Sequence, residues 1–251
     1  MTAAPAPRLE VVVPCYNEAD RLASAAFLQT VRLRRDTGFV FVNDGSTDGT
    51  SQVLAELVAA GDGRCAAINL PRNLGKAAAV RSGVLAALNR GPEFVGYWDA
   101  DLSTPLEVLQ DFMDVFDANP AIDIVMGARV KLLGRHIERL AFRHYTGRLF
   151  ATAASLALNM AVYDTQCGAK IFRVNSSTRQ VFVEPFRSHW VFDVELLARY
   201  LAISGRAQAM TRIYELPLMT WTDVAGSKVK PWHGVRAMWD VVQIWRRAGR
   251  G

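Results

Sequence analysis

Short apolar runs alternate with helix-like stretches along the first half of the chain, and this alternation restricts the fold more than any other feature. The expected strands are Leu9 to Val13, Phe39 to Val42, Ala66 to Leu70, Phe94 to Trp98 and Ile122 to Met126. The stretches between them carry apolar residues at helical spacing. Such an order demands right-handed helical crossovers between parallel strands. We therefore predict an α/β fold, with a mostly parallel sheet and helices on both faces.

The second half of the chain is less regular. We expect residues 131–162 to be largely helical, a loop and strand over 164–172, and a helix over 192–201. The last residues mix tryptophans and arginines, which is typical of an amphipathic segment lying on a surface. The predicted division is a disordered leader over 1–8, one domain over 9–230, and an amphipathic C-terminal tail over 231–251.

Charge and cysteine content narrow the functional classes. A net charge of +5 favours an anionic partner without choosing among nucleotide, nucleic acid and lipid headgroup. Its three cysteines show no spacing typical of disulfides or zinc, which favours a reducing, cytosolic compartment. Residues 1–8 lack the apolar stretch of a secretory signal. The most apolar segment, 149–162, is shorter than the roughly 18 residues of a membrane span and is predicted to be a core or interfacial helix.

Acidic turns follow two of the expected strands. Asp44 comes after the second strand, and Asp99 and Asp101 come after the fourth. Ligands of open parallel sheets gather at the carboxyl ends of the strands, so these positions suit a nucleotide and a divalent cation. Carboxylates are the ligands that Mg²⁺ and Mn²⁺ prefer. The alternatives are a turn aspartate that bonds its own backbone, for Asp44, and helix capping for the pair, although Ser103 and Thr104 are better placed to cap.

Several motifs, in order, resemble those of a known family. The first half carries Pro14 to Glu18, Asn43 to Ser46, Asn73 to Lys76 and Asp99 to Asp101, which resemble the series that marks family 2 glycosyltransferases. Further motifs are similar to the dolichyl-phosphate β-glucosyltransferase branch of that family: Asp164 to Lys170, Trp190 to Leu197 and Gly226 to Lys228. Two positions depart from the pattern, since Ala77 and Ala169 replace a usual glycine and phenylalanine. The resemblance implies a glycosyltransferase A fold, a Rossmann-like nucleotide-sugar domain.

The resemblance also implies roles for individual residues. The candidate donor-binding residues are Pro14, Tyr16, Glu18, Asp44, Lys76, Asp99, Ala100, Asp101, Arg129 and Lys228. Asp99 and Asp101 are the candidate ligands of Mg²⁺ or Mn²⁺, and the candidate catalytic residues are Asp101, Asp193 and Arg143. Arg143, and with it Arg139, is placed to face a lipid phosphate, while Arg81 joins Lys76 as a candidate phosphate contact. For each of these cations a solvated surface position is the alternative.

The acceptor decides whether a general base is needed. A phosphate monoester, with a second pKa of about 6, is already largely anionic at neutral pH and needs no dedicated base. Asp193 is the candidate if a base exists, whereas Glu195 faces another side of the same predicted helix and is interpreted as structural. His189 is interpreted as a packing residue.

These inferences predict an inverting transferase that moves a hexose onto a polyprenyl or dolichyl phosphate, with glucose from UDP-glucose as the expected donor sugar. The product would be β-linked, and the enzyme would be peripheral at the cytosolic membrane surface. Three alternatives stay open: GDP-mannose as donor, a soluble saccharide as acceptor, and a nucleotide-sugar-binding protein without transfer activity. No nucleic-acid partner is expected, because the chain shows no helix-turn-helix, zinc or stacking-sheet signature.

Overall fold

A computed structural model describes residues 7–138, 141–188, 190–223, 239–244 and 246 of the chain. Within these ranges, the side chains of residues 138, 141–146 and 148 are not described. Most of the predicted leader and most of the predicted tail therefore lie outside the described residues, and the proposed division of the chain stays a prediction.

Strands and helices alternate through the first half, as predicted. The strands are β1 Leu9–Cys15, β2 Thr37–Asn43, β3 Cys65–Asn69, β4 Phe94–Trp98, β5 Ile124–Ala128, β6 His136–Glu138, β7 Ala169–Arg173, β8 Ile213–Pro217 and β9 Thr220–Thr222. The helices are α1 Ser24–Leu33, α2 Thr50–Ala60, α3 Lys76–Leu88, α4 Leu109–Ala118, α5 Ala141–Leu158, α6 Ser176–Val181, α7 Phe192–Ser204 and α8 Arg206–Arg212. A 3₁₀ turn, Leu106–Val108, leads into α4.

Seven of the strands form one central sheet in the order β3, β2, β1, β4, β7, β5, β8. All pairings are parallel except those of β7, which runs antiparallel to both β4 and β5. The two short strands β6 and β9 pair separately. The predicted α/β architecture, with a mostly parallel sheet flanked by helices, is confirmed.

The register aligns one edge of this sheet. Leu9 at the start of β1 pairs with Thr37 of β2 and with Phe94 of β4, so these parallel strands begin together and run toward the same edge. Because β7 runs in the opposite direction, its first residue, Ala169, lies beside Trp98 at the end of β4. Residues that follow β2 and β4 therefore meet residues that precede β7.

Two hydrophobic clusters cover the two faces of the sheet. Side chains alternate along β1, with Val11 and Val13 in one cluster and Val12 in the other. Helices α3, α5 and α7 contribute to the Val12 cluster, and α1, α2 and α4 contribute to its counterpart. Helix α3 approaches closely, because a Cβ on Gly83 would lie 2.3 Å from a methyl carbon of Val12. Both faces of the central strands are thus buried.

Strand β1 differs from the prediction at its end. We expected Pro14 to stop the strand, whereas β1 continues through Pro14 to Cys15. The pairing with β4 stops at Val12, so from there on β1 has only β2 as a neighbour. Proline has no backbone N–H to donate, so it is tolerated on a side of a strand that has no neighbouring strand.

The segment predicted to be largely helical over 131–162 also differs. It begins with a tight turn over residues 132–135 and the strand β6, and α5 begins only at Ala141. Gly134 has a φ of +80°, a conformation that interrupts a helix and favours glycine. No helix of the described residues is long and apolar enough to cross a membrane.

The described part of the predicted tail packs on the domain. Residues 239–244 are helical, and Val241 and Ile244 are buried in the same hydrophobic cluster as α7. The Ser188 hydroxyl donates to the Asp240 carboxylate at 2.7 Å, while Trp239 is exposed. One face of this segment is therefore bound to the protein.

Candidate active site

The acidic turn after β4 lies at the aligned edge of the sheet. Asp99 Oδ1 is 2.5 Å from Lys76 Nζ, and Asp101 Oδ1 accepts a hydrogen bond from the Ser103 amide at 3.0 Å. Asp99 and Asp101 are both partly exposed, whereas Ala100 between them is buried. The carboxylates are therefore accessible from solvent on a turn with a fixed backbone.

Capping does not account for this pair. The 3₁₀ turn that opens the next helical segment has Pro105 at its N-cap position and no side-chain cap. The expectation that Ser103 or Thr104 caps this segment is wrong, because Pro105, which has no side-chain acceptor, occupies the N-cap position.

Gly168 forms the wall behind Asp99. The Asp99 amide donates to the Gly168 carbonyl at 3.0 Å, which continues the pairing of β4 with β7. A Cβ on Gly168 would lie 1.8 Å from Asp99 Oδ2, closer than any real contact. The carboxylate can hold this orientation only because residue 168 has no side chain.

Asp44 ties the end of β2 to the loop that precedes α3. Its Oδ1 accepts from the Leu74 amide at 2.7 Å and its Oδ2 from the Gly75 amide at 2.8 Å. Burial raises the pKa of Asp44, and the two amide bonds oppose that rise. The bond within its own turn is made by Asn43, whose Oδ1 accepts from the Ser46 amide at 3.0 Å. Asp44 therefore orders the next loop rather than its own.

Lys76 stands at the first residue of α3, among three carboxylates. Burial lowers the pKa of Lys76, but the nearby charges of Asp99, Asp193 and Asp101 outweigh that effect and raise it. The ammonium group therefore stays positive beside the acidic turn. Arg81, one turn further, donates to the carbonyls of Phe182 and Val183, so its observed contacts are structural.

The residues after β1 complete this edge. Glu18 is buried, its carboxylate is paired with Arg21 at 2.9 Å, and its amide donates to the Thr50 hydroxyl at 2.8 Å. Pro14 and Tyr16 are partly exposed. The Asp44 amide donates to the Cys15 carbonyl at 2.8 Å, which places this segment beside Asp44.

A buried polar network lies behind the acidic turn, and sequence analysis missed its lysine. Lys170 in β7 is fully buried, and its ammonium group donates to Asp193 Oδ1 at 2.6 Å and to the Cys167 carbonyl at 2.7 Å. The Tyr97 hydroxyl donates to the same Asp193 oxygen. A lysine within the apolar run of β7 was the available signal, because a buried ammonium group requires an anionic partner.

Arg129 is held by an acidic chain of its own. Its guanidinium group donates to both Asp164 oxygens, at 2.6 and 2.8 Å, and lies 5.2 Å from the Trp221 ring. The amides of Tyr163 and Asp164 each donate to the Glu215 carboxylate at 2.8 Å. The segment that precedes β7 is thus fixed from both sides, and the charge of Arg129 is balanced within the protein.

The remaining predicted residues divide into two groups. The Glu195 carboxylate accepts from the amides of Arg187 and Ser188, which supports its structural interpretation. Arg143 lies in α5, but its side chain is outside the described part of the chain. Arg139, His189 and Lys228 also lie outside the described residues.

The described residues contain no group of three or more histidine, cysteine, aspartate or glutamate side chains arranged to hold a metal ion. The Asp99 and Asp101 pair could hold a cation only together with further ligands, such as substrate oxygens and water, which Mg²⁺ commonly keeps.

Comparisons with known proteins agree with this geometry. The model of the family described as glycosyl transferase family 2 matches residues 10–178. A dolichyl-phosphate beta-glucosyltransferase of Trichomonas vaginalis is 30% identical over 246 residues, which cover 93% of this chain and 69% of that protein. The Homo sapiens dolichyl-phosphate beta-glucosyltransferase is 31% identical over 246 residues, covering 90% and 71%.

A solved structure shares the fold at lower identity. Mycobacterium tuberculosis glucosyl-3-phosphoglycerate synthase, in complex with Mn²⁺ and UDP-glucose, superposes with a TM-score of 0.69 and 17% identity, covering 96% of this chain and 79% of that one. The likeness shows the glycosyltransferase A fold.

Proposed function

Because this chain belongs to glycosyl transferase family 2, we propose that it transfers glucose from UDP-glucose to a polyprenyl or dolichyl phosphate, with inversion at the anomeric carbon. The curated relatives that cover most of the chain are named for this glucosyl transfer. The observation that carries the donor half of the proposal is the meeting of Asp44, Lys76 and Asp99 at one edge of the sheet.

The chemistry of the acidic turn fits a divalent cation. Asp99 and Asp101 offer hard carboxylate oxygens, and both side chains are accessible to a ligand. When bound there, Mg²⁺ or Mn²⁺ would offset the negative charge that develops on the nucleoside diphosphate leaving group. Lys76, beside Asp99, would supply a second positive charge to the diphosphate.

The donor would lie along the edge formed by β1, β2 and β4. Pro14, Tyr16 and Glu18 are assigned to its base and ribose side, next to Asp44, whose bonds hold the loop that begins α3. Arg129 and Lys228 stay candidates for its other end. Ala100 contributes backbone only, since its side chain is buried.

The acceptor phosphate attacks the anomeric carbon directly in this proposal, and the β linkage follows from a single displacement. Its oxygen is anionic at neutral pH, so proton removal is not required. We assign Asp193 to holding Lys170 and Tyr97 in place, because one of its oxygens already accepts hydrogen bonds from both. Arg143 stays the candidate contact for the acceptor phosphate.

We place the enzyme at the cytosolic surface of a membrane, where a lipid phosphate presents its headgroup. Its three cysteines are free and buried, which fits a reducing compartment.

The test is product formation by the purified protein. Labelled UDP-glucose, a polyprenyl phosphate in detergent and Mg²⁺ or Mn²⁺ should yield a glycolipid that mild acid hydrolyses to labelled glucose. The coupling constant of the anomeric proton in the intact glycolipid should be that of a β linkage. The Asp101→Ala variant should form no product, and the matched Asp111→Asn variant, on the exposed face of α4, should match the wild type. If product forms only from GDP-mannose, the donor is GDP-mannose and not UDP-glucose. If the protein binds nucleotide sugars but forms no product, transfer is refuted.

A further inference from the structure

A tight turn at the edge of the candidate site carries two exposed leucines. The Arg135 amide donates to the Leu132 carbonyl at 3.2 Å, and Gly134 at the third position of the turn has a φ of +80°. Leu133, at the second position, is fully exposed, and Leu132 is 52% exposed. Turn tips normally carry polar residues, glycine or proline, so an apolar tip is exceptional.

This turn is held in place by neighbouring backbone. The Arg135 guanidinium group donates to the carbonyls of Pro217 and Leu218, and the His136 amide donates to the Met219 carbonyl at 2.9 Å. Met219 is itself 55% exposed, and its carbonyl is bonded to the residue that follows the turn. We call residues 131–135 together with Met219 the leucine turn. Its apolar surface is held outward by hydrogen bonds.

The position and charge of the leucine turn indicate its partner. The leucine turn begins two residues after Arg129, which directly follows β5. It therefore lies at the same edge of the sheet as the acidic turn. Lys131 is exposed on its leading side, whereas the Arg135 guanidinium group is bonded to the protein backbone. An apolar tip beside an exposed cation is complementary to the surface of an anionic bilayer, where acyl chains lie beneath phosphate headgroups.

We propose that the leucine turn inserts into the surface of an anionic phospholipid membrane and so orients the candidate site toward the bilayer. This inference deepens the proposed function, on which it rests, because a lipid-phosphate acceptor keeps its phosphate at that surface.

Vesicle flotation tests the proposal. Wild-type protein should float with vesicles of phosphatidylcholine and phosphatidylserine, and the Leu132→Ser/Leu133→Ser variant should lose at least about tenfold in partition coefficient. Leu33→Ser is the matched control, because Leu33 is an equally apolar exposed residue that ends α1 at the opposite edge of the sheet. Its partition should be unchanged. Lys131→Gln should weaken binding only to vesicles that contain phosphatidylserine.

A second measurement reports insertion directly. The native cysteines are buried, so a Leu133→Cys variant can be labelled selectively with an environment-sensitive fluorophore. Vesicles should shift its emission to the blue, and a label at Leu33→Cys should not respond. Equal flotation of the wild type and the double serine variant, or an unshifted emission, would overturn the proposal. If the wild type binds no vesicles and the double serine variant loses self-association, the turn contacts a second copy of the chain instead. That outcome would also overturn the proposal.

Transfer assays separate this inference from the function on which it rests. With a short-chain prenyl phosphate dissolved in detergent, the double serine variant should retain wild-type turnover, while on vesicle-embedded acceptor it should lose about tenfold. Wild-type protein that floats but forms no product with any acceptor would refute the transferase and leave the membrane contact standing.

Discussion

Gly168 is the residue at which the lack of a side chain matters most for the candidate site. The Asp99 carboxylate occupies the space that a Cβ on Gly168 would take, and the backbone of residue 168 pairs with that of Asp99. Asp99 can rotate away from an added methyl group, so such a change costs more in geometry than in stability. Catalytic sites are sensitive to displacements of this size.

We therefore predict that Gly168→Ala lowers kcat/KM for glucosyl transfer by about 100-fold, because the Asp99 carboxylate is displaced from Lys76 and from the proposed cation position. The melting temperature should change little. Gly49→Ala serves as the control, since its Cβ would meet only the Ala19 methyl at an ordinary 3.6 Å. Full activity of Gly168→Ala would show that the observed orientation of Asp99 is not the functional one.

At the scale of secondary-structure elements, the Lys170 and Asp193 pair joins the start of β7 to the first turn of α7. Tyr97 extends the link to β4. A buried ion pair adds little net stability relative to apolar residues, but removal of one partner leaves an unpaired charge in the core. The pair thus makes the position of α7 depend on that of β7.

We expect Lys170→Met to lower the free energy of unfolding by about 3–5 kcal/mol, as is typical when a buried pair loses one member. Lys170→Met/Asp193→Asn should be less destabilised than the sum of the two single variants, because neither charge is left alone. Chemical denaturation of the four proteins measures this coupling.

The kinetics of Asp193→Asn separate its two candidate roles. A positioning role predicts a lower kcat with the acid limb of the pH profile unmoved. If Asp193 were the general base, that limb would disappear in the variant.

At the scale of the whole molecule, the two ends of the sheet have different tasks. The carboxyl ends of the strands carry the candidate site, and the opposite end holds Glu10, a fully buried residue near the start of β1. Burial raises the pKa of Glu10 to about 7, although the paired Arg90, 2.8 Å away, opposes the shift. The protein thus carries a titrating group far from the chemistry.

This group predicts how stability changes with pH. The folded state binds the Glu10 proton more tightly than the unfolded state, whose carboxyl has an ordinary pKa of 4.5. The free energy of unfolding should therefore fall as pH rises from about 4.5 to about 7, by up to about 3 kcal/mol, and then become independent of this group.

The Glu10→Gln variant should lack this fall and exceed the wild type in stability at pH 8, with the difference shrinking toward pH 5. Denaturation at several pH values is the measurement, and Glu56→Gln, on the exposed face of α2, is the control. Parallel profiles for wild type and Glu10→Gln would contradict the prediction.

Local pattern alone predicted much of this protein. The strands β2 to β5 follow from short apolar runs and the helices between them from apolar residues at helical spacing, because both patterns are visible in any short window. The acidic turns containing Asp44 and Asp99 were expected at strand ends, and the structure brings both to one edge. Membership of the family was likewise apparent from the ordered motifs and is confirmed.

Tertiary structure alone decided how those pieces meet. Strand β7 enters the sheet antiparallel between β4 and β5, which brings Gly168 against Asp99 and buries Lys170 beside Asp193. Nothing in a local window specifies that pairing, since a strand's period shows which residues face a core but not which strand lies beside it. Asp44 likewise bonds a loop 30 residues away instead of its own turn. The sequence thus determined the alternating elements of the first half and the chemistry they carry, while contacts between distant residues, which depend on packing the whole chain, determined where that chemistry converges.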